Sequence, residues 1–166
     1  MGAGKTSAGR ALGALLRWTF LDLDQEIELR RKLSIREMFQ FHGELGFRKI
    51  ETDILQAILE QGPAPKVIAL GGGTFVHLCN AELLRDFGAV VVFLETPIEQ
   101  LLERCRVVPQ TSTENPRPLA TSPDTLRALY EQRLSSYRSA DLTVNTAGKT
   151  AEEIASEIAS RLKLKK

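Results

Sequence analysis

Two rhythms of apolar and polar positions alternate along this chain. Short unbroken apolar runs, the pattern of strands buried on both faces, take turns with stretches whose apolar positions recur every three or four residues, the pattern of helices. Gly4 opens the first helical stretch, which reaches Leu16 with Ala11, Leu12, Leu15 and Leu16 at its apolar positions. Trp18 to Leu21 predicts a strand feeding a polar loop at Asp22-Leu23-Asp24. Helical pattern returns from Gln25 to about Lys32, and Ser34 with Glu37 forms a capping-box signature for a short second helix. Gly43 punctuates. A longer helix is then predicted from about Glu44 to Glu60, on Phe47, Ile50, Ile54, Leu55 and Ile58, and Gly62-Pro63-Ala64-Pro65 ends it.

The second half repeats the alternation. Val67 to Leu70 predicts a buried strand that runs straight into Gly71-Gly72-Gly73, and a helix follows Asn80 to near Gly88. Val90 to Leu94 predicts a third strand, with Thr96-Pro97 as N-cap and first turn of the next helix. Residues 106–121 hold three prolines and many Ser and Thr without periodicity, which predicts a long loop. Ser122-Pro123 opens a helix to about Ala140, Leu142 to Val144 is a short fourth strand, and Thr150 with Glu153 caps a last helix. Continuous apolar strands alternating with helices predict an α/β domain over residues 1–166, a parallel sheet covered by helices on both faces in three layers.

Composition narrows the function classes. The 166 residues carry 22 Lys and Arg against 21 Asp and Glu, a net charge of +1. That balance argues against nucleic acid and against a membrane surface as partners, since both call for a clustered basic excess. No apolar run has the length of a membrane span, and the glycine-rich polar opening is not the pattern of a signal peptide. Cys79 and Cys105 have neither framework nor metal spacing, so a reducing cytoplasm is expected.

Candidate chemistry begins at the first residues. Gly2-Ala3-Gly4-Lys5-Thr6-Ser7 is the second half of a phosphate-binding loop. Glycines let backbone N–H groups turn toward phosphate oxygens, and the helix N-terminus that follows adds positive potential. Lys5 would neutralise a transferred phosphate, and the Thr6 hydroxyl would ligate Mg²⁺. The full pattern has a further glycine five residues before Gly4, with a strand ahead of it. Neither stands in these 166 residues, so the expectation is a start placed too late or a fragment.

Downstream, Asp22 and Asp24 flank Leu23 at a strand end, where alternation would put both carboxylates on one side, facing the ligand crevice of a parallel sheet. One could serve a metal and the other hold a substrate hydroxyl; a solvated helix cap is the competing reading. Arg48 and Glu51 stand one helical turn apart, an i,i+3 pair that could orient a guanidinium for a carboxylate, although by itself a surface salt bridge is the plainer reading. Gly71-Gly72-Gly73 at a strand end would let a ligand approach the backbone, or simply make a tight turn. Arg117-Pro118-Leu119 lies in the long loop, and Arg133 sits on the next helix with Tyr137 one turn on. His42, His77 and the two cysteines suggest no chemistry.

In order and spacing, G-A-G-K-T, D-L-D, G-E-L-G-F-R-K-I-E, G-G-G, R-P-L and the later Arg with Tyr resemble the shikimate kinase family, from Gly2 to about Lys149. The resemblance implies a three-layer P-loop kinase fold whose central first strand is absent from this chain. It implies ATP-dependent phosphorylation of the 3-hydroxyl of shikimate, in the biosynthesis of chorismate and aromatic amino acids, by a cytoplasmic monomer. By that likeness Gly2, Ala3, Gly4, Lys5, Thr6 and Ser7 hold the ATP phosphates, Thr6 carries Mg²⁺ with Asp22 in its outer shell, and the segment at Lys149 lies near the adenine. Asp24 would hold the acceptor hydroxyl and act as its base. Arg48 and Arg133 would grip the substrate carboxylate beside Gly71, Gly72 and Gly73. Arg117, on a lid over about 106–121, would reach the phosphates, and either Arg104 or Arg106 would make the adenine-side contact. Lys5, Asp24 and Arg117 would then be the catalytic set. The competing expectations are a P-loop kinase for another hydroxy acid such as gluconate, or an inactive truncated kinase-like module. The two arginines and the D-x-D favour shikimate over gluconate.

Overall fold

The computed structural model describes residues 2–107 and 122–165. Its elements run α1 (Lys5–Leu16), β1 (Thr19–Asp22), α2 (Leu23–Arg31), α3 (Ile35–Leu59), β2 (Lys66–Ala69), a 3-10 turn (Thr74–Val76), α4 (Leu78–Asp86), β3 (Val92–Glu95), α5 (Ile98–Val107), α6 (Pro123–Arg138), β4 (Leu142–Asn145) and α7 (Ala151–Arg161). Helix starts follow local chemistry. Ser34 with Glu37, Ser122 with Thr125, and Thr150 with Glu153 each close a capping box, so a side chain on either side of the boundary satisfies an orphan N–H of the other. Helix α3 is two helices joined at Gly43, whose φ of 65° bends the axis. The short helix and the longer one expected from the sequence therefore meet at this bend, with Gly43 between them as predicted.

Both strand pairs are parallel, Thr19–Asp22 against Lys66–Ala69 and Val92–Glu95 against Leu142–Asn145. Side chains alternate across β2, with Val67 packing toward α1 and α7 and Ile68 toward α3. One face of the strands buries Ala8, Leu12 and Leu16 of α1 with Ile154, Ala155 and Ile158 of α7. The other buries Leu23 and Ile27 of α2 with Phe47, Ile54, Leu55 and Ile58 of α3. Helices thus cover both faces, as the alternation predicts. Helix α1 seats closely on β1, since a Cβ on Gly9 would stand 2.6 Å from the Phe20 ring.

Among the described residues β1–β2 and β3–β4 are separate two-stranded parallel sheets, the gap expected where the resemblance implies an absent central strand. A cleft of about 610 Å³ separates them, lined by Val67 and Ala69 of β2 and by Val92 and Leu94 of β3. Two expectations are corrected. The polar loop expected at Asp22-Leu23-Asp24 is absent, because α2 begins at Leu23 directly after β1. Helix α5 also continues to Val107, two residues into the predicted loop; residues 108–121, with Arg117, lie outside the described residues.

Candidate active site

The phosphate-loop residues meet α1 as the sequence predicts. Gly4 is the N-cap with φ 80° and makes no side-chain cap, so the first turn of α1 presents backbone N–H groups that have no carbonyl within the helix. No acidic residue occupies that turn, and its positive potential is unopposed from within the helix. Thr6 Oγ1 donates to Asp22 Oδ2 at 2.7 Å. Asp22 Oδ1 accepts from the Asp24 and Gln25 amides at 3.1 and 3.4 Å, capping α2. Asp22 thus caps α2 with one oxygen, the competing reading, and turns the other to the Thr6 hydroxyl. Arg104 Nη1 donates to the Gly2 carbonyl at 2.9 Å, which ties α5 to the loop.

Asp24 sits in the first turn of α2 and not at an alternating strand position. Burial raises its pKa from 3.8 to about 6, with the Asp22 and Glu51 carboxylates adding to the rise and Lys5 opposing it. A carboxylate at that value is ionised at neutral pH and still basic enough to take a proton.

The triglycine turn is where separate elements converge. A Cβ on Gly71 would lie 3.0 Å from Asp24 Oδ1 and 3.2 Å from Glu51 Oε1. A Cβ on Gly73 would clash with the Arg48 guanidinium and push it from its place. Gly72 offers its carbonyl to α6: Arg133 Nη1 donates to it at 3.1 Å, and the Tyr137 hydroxyl donates to the same oxygen. One turn thus gathers a carboxylate from α2, a guanidinium from α3 and a second guanidinium from α6.

Arg48 and Glu51 are corrected from a surface pair to a buried one. Glu51 is 1% exposed and accepts from Arg48 Nη1 at 2.9 Å and from Thr74 Oγ1 at 2.6 Å. On its other side Arg48 Nη2 pairs with the half-exposed Glu44, at 3.3 Å. Arg48 Nε is buried with no hydrogen-bond partner among the described residues. The Nε and Nη2 edge of the guanidinium, the edge that pairs side-on with a carboxylate, is therefore underused.

Sequence reasoning missed the polar frame beneath the turn. Asn80 Nδ2 donates to the Thr74 carbonyl at 3.1 Å, and the Thr52 hydroxyl lies 2.7 Å from Asn80 Oδ1. Thr52 stands one residue beyond Glu51, but no local pattern marks Thr74 or Asn80. Lys149 lies in the β4–α7 connection, where its ammonium meets Glu157 at 2.6 Å. Thr96 does not cap α5 with its side chain; its hydroxyl pairs with that of Thr146 at 2.6 Å.

Comparison with known proteins decides the family. The family model for shikimate kinase matches residues 1–163. The chain belongs to the shikimate kinase family. A shikimate kinase from Geobacter sulfurreducens is 37% identical over 96% of this chain and 85% of its own length. One from Ruegeria pomeroyi is 41% identical over 92% of this chain and 75% of its own. The structure of the Acinetobacter baumannii shikimate kinase in complex with shikimate superposes with a TM-score of 0.86 at 36% identity, covering 98% of this chain and 88% of that one. The fold is accordingly the α/β P-loop kinase fold, and the family's activity is ATP-dependent phosphotransfer.

Proposed function

We propose that this chain transfers the γ-phosphoryl group of ATP to the 3-hydroxyl of shikimate, and that the residues gathered at the triglycine turn receive the acceptor. The observation that carries the reading is the convergence of Asp24, Arg48 and Arg133 on Gly71, Gly72 and Gly73, at the mouth of a phosphate loop. Shikimate is a small carboxylate with several hydroxyls. Its carboxylate would take the Nε and Nη2 edge of Arg48, displacing the exposed Glu44, while Glu51 keeps the guanidinium in plane from the buried side. Arg133 would add a second cation. Asp24 would accept the hydroxyl proton as the oxygen attacks phosphorus, so that ADP leaves and the proton stays on the carboxyl group.

Gly2 to Ser7 would hold the phosphates, with Lys5 neutralising the charge that moves between donor and acceptor. Thr6 and Asp22 fit a Mg²⁺ ion. They are hard oxygen donors already in contact at 2.7 Å, and Mg²⁺ typically takes few protein ligands beside waters and phosphates. The ion would supply charge neutralisation on the nucleotide. Arg117, from the segment outside the described residues, is proposed to reach the phosphates, and Lys149 to lie near the adenine. The chain is further proposed to act as a cytoplasmic monomer; among the described residues no helix is long and apolar enough to cross a membrane.

The test is ADP release with shikimate and with gluconate, run on this chain and on the chain lengthened upstream by a strand and a glycine, with the phosphorylated position read by NMR. Turnover with shikimate alone, giving the 3-phosphate, is expected. Equal rates with gluconate would overturn the assignment.

A further inference from the structure

Tyr137 stands outside the set of residues that would touch substrate, yet it shares an acceptor with one of them. Its hydroxyl and Arg133 Nη1 both donate to the Gly72 carbonyl. A carbonyl oxygen has two lone pairs, so these donors from successive turns of α6 use its whole capacity. The Tyr137 ring is held in turn by stacking on Phe93 of β3, centroids 5.2 Å apart and planes 25° apart. Burial raises the Tyr137 pKa above its usual value of 10.0, so the hydroxyl keeps its proton throughout the range in which a kinase is assayed.

We infer that Tyr137 is a positioning residue for the acceptor site: it fixes the Gly72 peptide and limits Arg133 to one bond with it. Two consequences follow from peptide geometry. The Gly72 carbonyl and the Gly73 N–H belong to one trans peptide and point in opposite directions. Anchoring the carbonyl on α6 therefore aims that N–H away from α6. The glycines on either side lie close to the two proposed substrate contacts: the Cβ position of Gly71 is beside the Asp24 carboxylate and that of Gly73 beside the Arg48 guanidinium. A rotation of the Gly72 peptide would disturb base and guanidinium together. The second consequence concerns Arg133. With Tyr137 on one lone pair, the guanidinium spends one nitrogen on the carbonyl and keeps the rest of its fork for an anion. Without the hydroxyl, both lone pairs are open to Arg133, and the fork turns inward.

This inference rests on the reading of the triglycine turn as the acceptor site, and its experiment separates the two. Tyr137→Phe keeps the stack on Phe93 and removes only the hydroxyl. Phe93→Leu removes the stack and keeps the hydroxyl. In the substrate-free chain, amide exchange at residues 72–74 should quicken about three- to tenfold in Tyr137→Phe, the equivalent of one net hydrogen bond. It should quicken less in Phe93→Leu. In turnover, Tyr137→Phe should raise KM for shikimate by about three- to tenfold, on the same energetic scale, and leave KM for ATP nearly unchanged, with the melting temperature lower by only the few degrees that one net hydrogen bond is worth. Unchanged exchange at residues 72–74 overturns the inference, whatever the activity. So does a rise in both KM values together with a fall in melting temperature that Phe93→Leu reproduces, since that is the mark of a packing role. Absence of shikimate turnover in the unsubstituted chain would count against the proposed function alone, and the exchange measurement would still decide the role of Tyr137.

Discussion

The proposed acceptor side of this molecule and its sheet are built to different degrees of completeness. Around the triglycine turn nearly every buried polar group has a partner: Glu51 bonds Arg48 and Thr74, Asn80 bonds Thr52 and Thr74, and Gly72 bonds Arg133 and Tyr137. The exception is Arg48 Nε, at the edge where an anion would bind. Among the described residues β2 and β3 each pair on one side only, and an apolar cleft of about 610 Å³ lies between them. A finished polar network holds its geometry without help, whereas a split sheet leaves backbone groups to water or to another strand. The two regions meet along this cleft, which is lined by Ala3 and Lys5 and also by Gly71, Gly72, Arg133 and Tyr137. They differ in what holds them, a polar network on one side and strand pairing on the other, and should respond differently when one of the two is perturbed.

The largest effect is expected from Asp24→Asn, which attacks the complete side at its base. Turnover should fall by about 10²- to 10⁴-fold, the range for a general base. In the unsubstituted enzyme kcat should climb through an acid limb near pH 6 and level off above it, because the ionised carboxylate is the working form. Stability runs the other way. The folded pKa of about 6 lies above the ordinary 3.8, so the native state binds the proton more tightly and loses stability as pH rises from about 4 to 6. Asp24→Asn should accordingly melt several degrees higher than the parent at pH 8, with the gap closing toward pH 4. A lower melting temperature at pH 8 would show that the carboxylate is better solvated than its burial indicates.

The split sheet is tested by lengthening the chain. About ten residues placed ahead of Met1, an apolar strand and a glycine, have the dimensions to enter the cleft beside β2 and β3. Each buried backbone group that gains a partner is worth about 1–3 kcal/mol, so the melting temperature should rise by about 5 °C or more and nucleotide binding should tighten. Equal melting and equal ATP titrations for the two lengths would mean that the cleft does not accept a strand, and the contrast between the two regions would fail.

Arg48→Lys is a smaller probe of the complete side. Lysine keeps the charge but cannot bridge Glu51 and a substrate carboxylate as a planar fork does. KM for shikimate should rise about tenfold, the scale of one lost charge-assisted hydrogen bond, with KM for ATP within about twofold. A change confined to the ATP parameter would move Arg48 to the nucleotide side. The smallest effect is expected at Lys149→Ala. Its ion pair with Glu157 is exposed, a class worth about 0–1 kcal/mol, so the melting temperature should barely move. KM for ATP should rise about two- to threefold if the ammonium lies near the adenine, equivalent to well under 1 kcal/mol.

What the sequence determined by itself is local. Capping boxes at Ser34, Ser122 and Thr150 join residues three apart, and amphipathic spacing reflects neighbours within two turns, so helix starts and the alternating order of elements were legible. The place of the Gly2–Ser7 motif at the start of α1 was legible for the same reason, because its residues are adjacent in the chain. The tertiary structure decided everything that depends on distant partners. Glu51 is buried because Thr74 reaches it from 23 residues away, and the Gly72 carbonyl is anchored from 61 and 65 residues away by Arg133 and Tyr137. The rise in the Asp24 pKa comes first from burial, which no count of nearby residues supplies. Strand pairing has the same character. Each run of apolar residues could be read as a strand, but which edges meet is set by where α1, α3 and α7 pack, and that left β2 and β3 on opposite sides of a cleft.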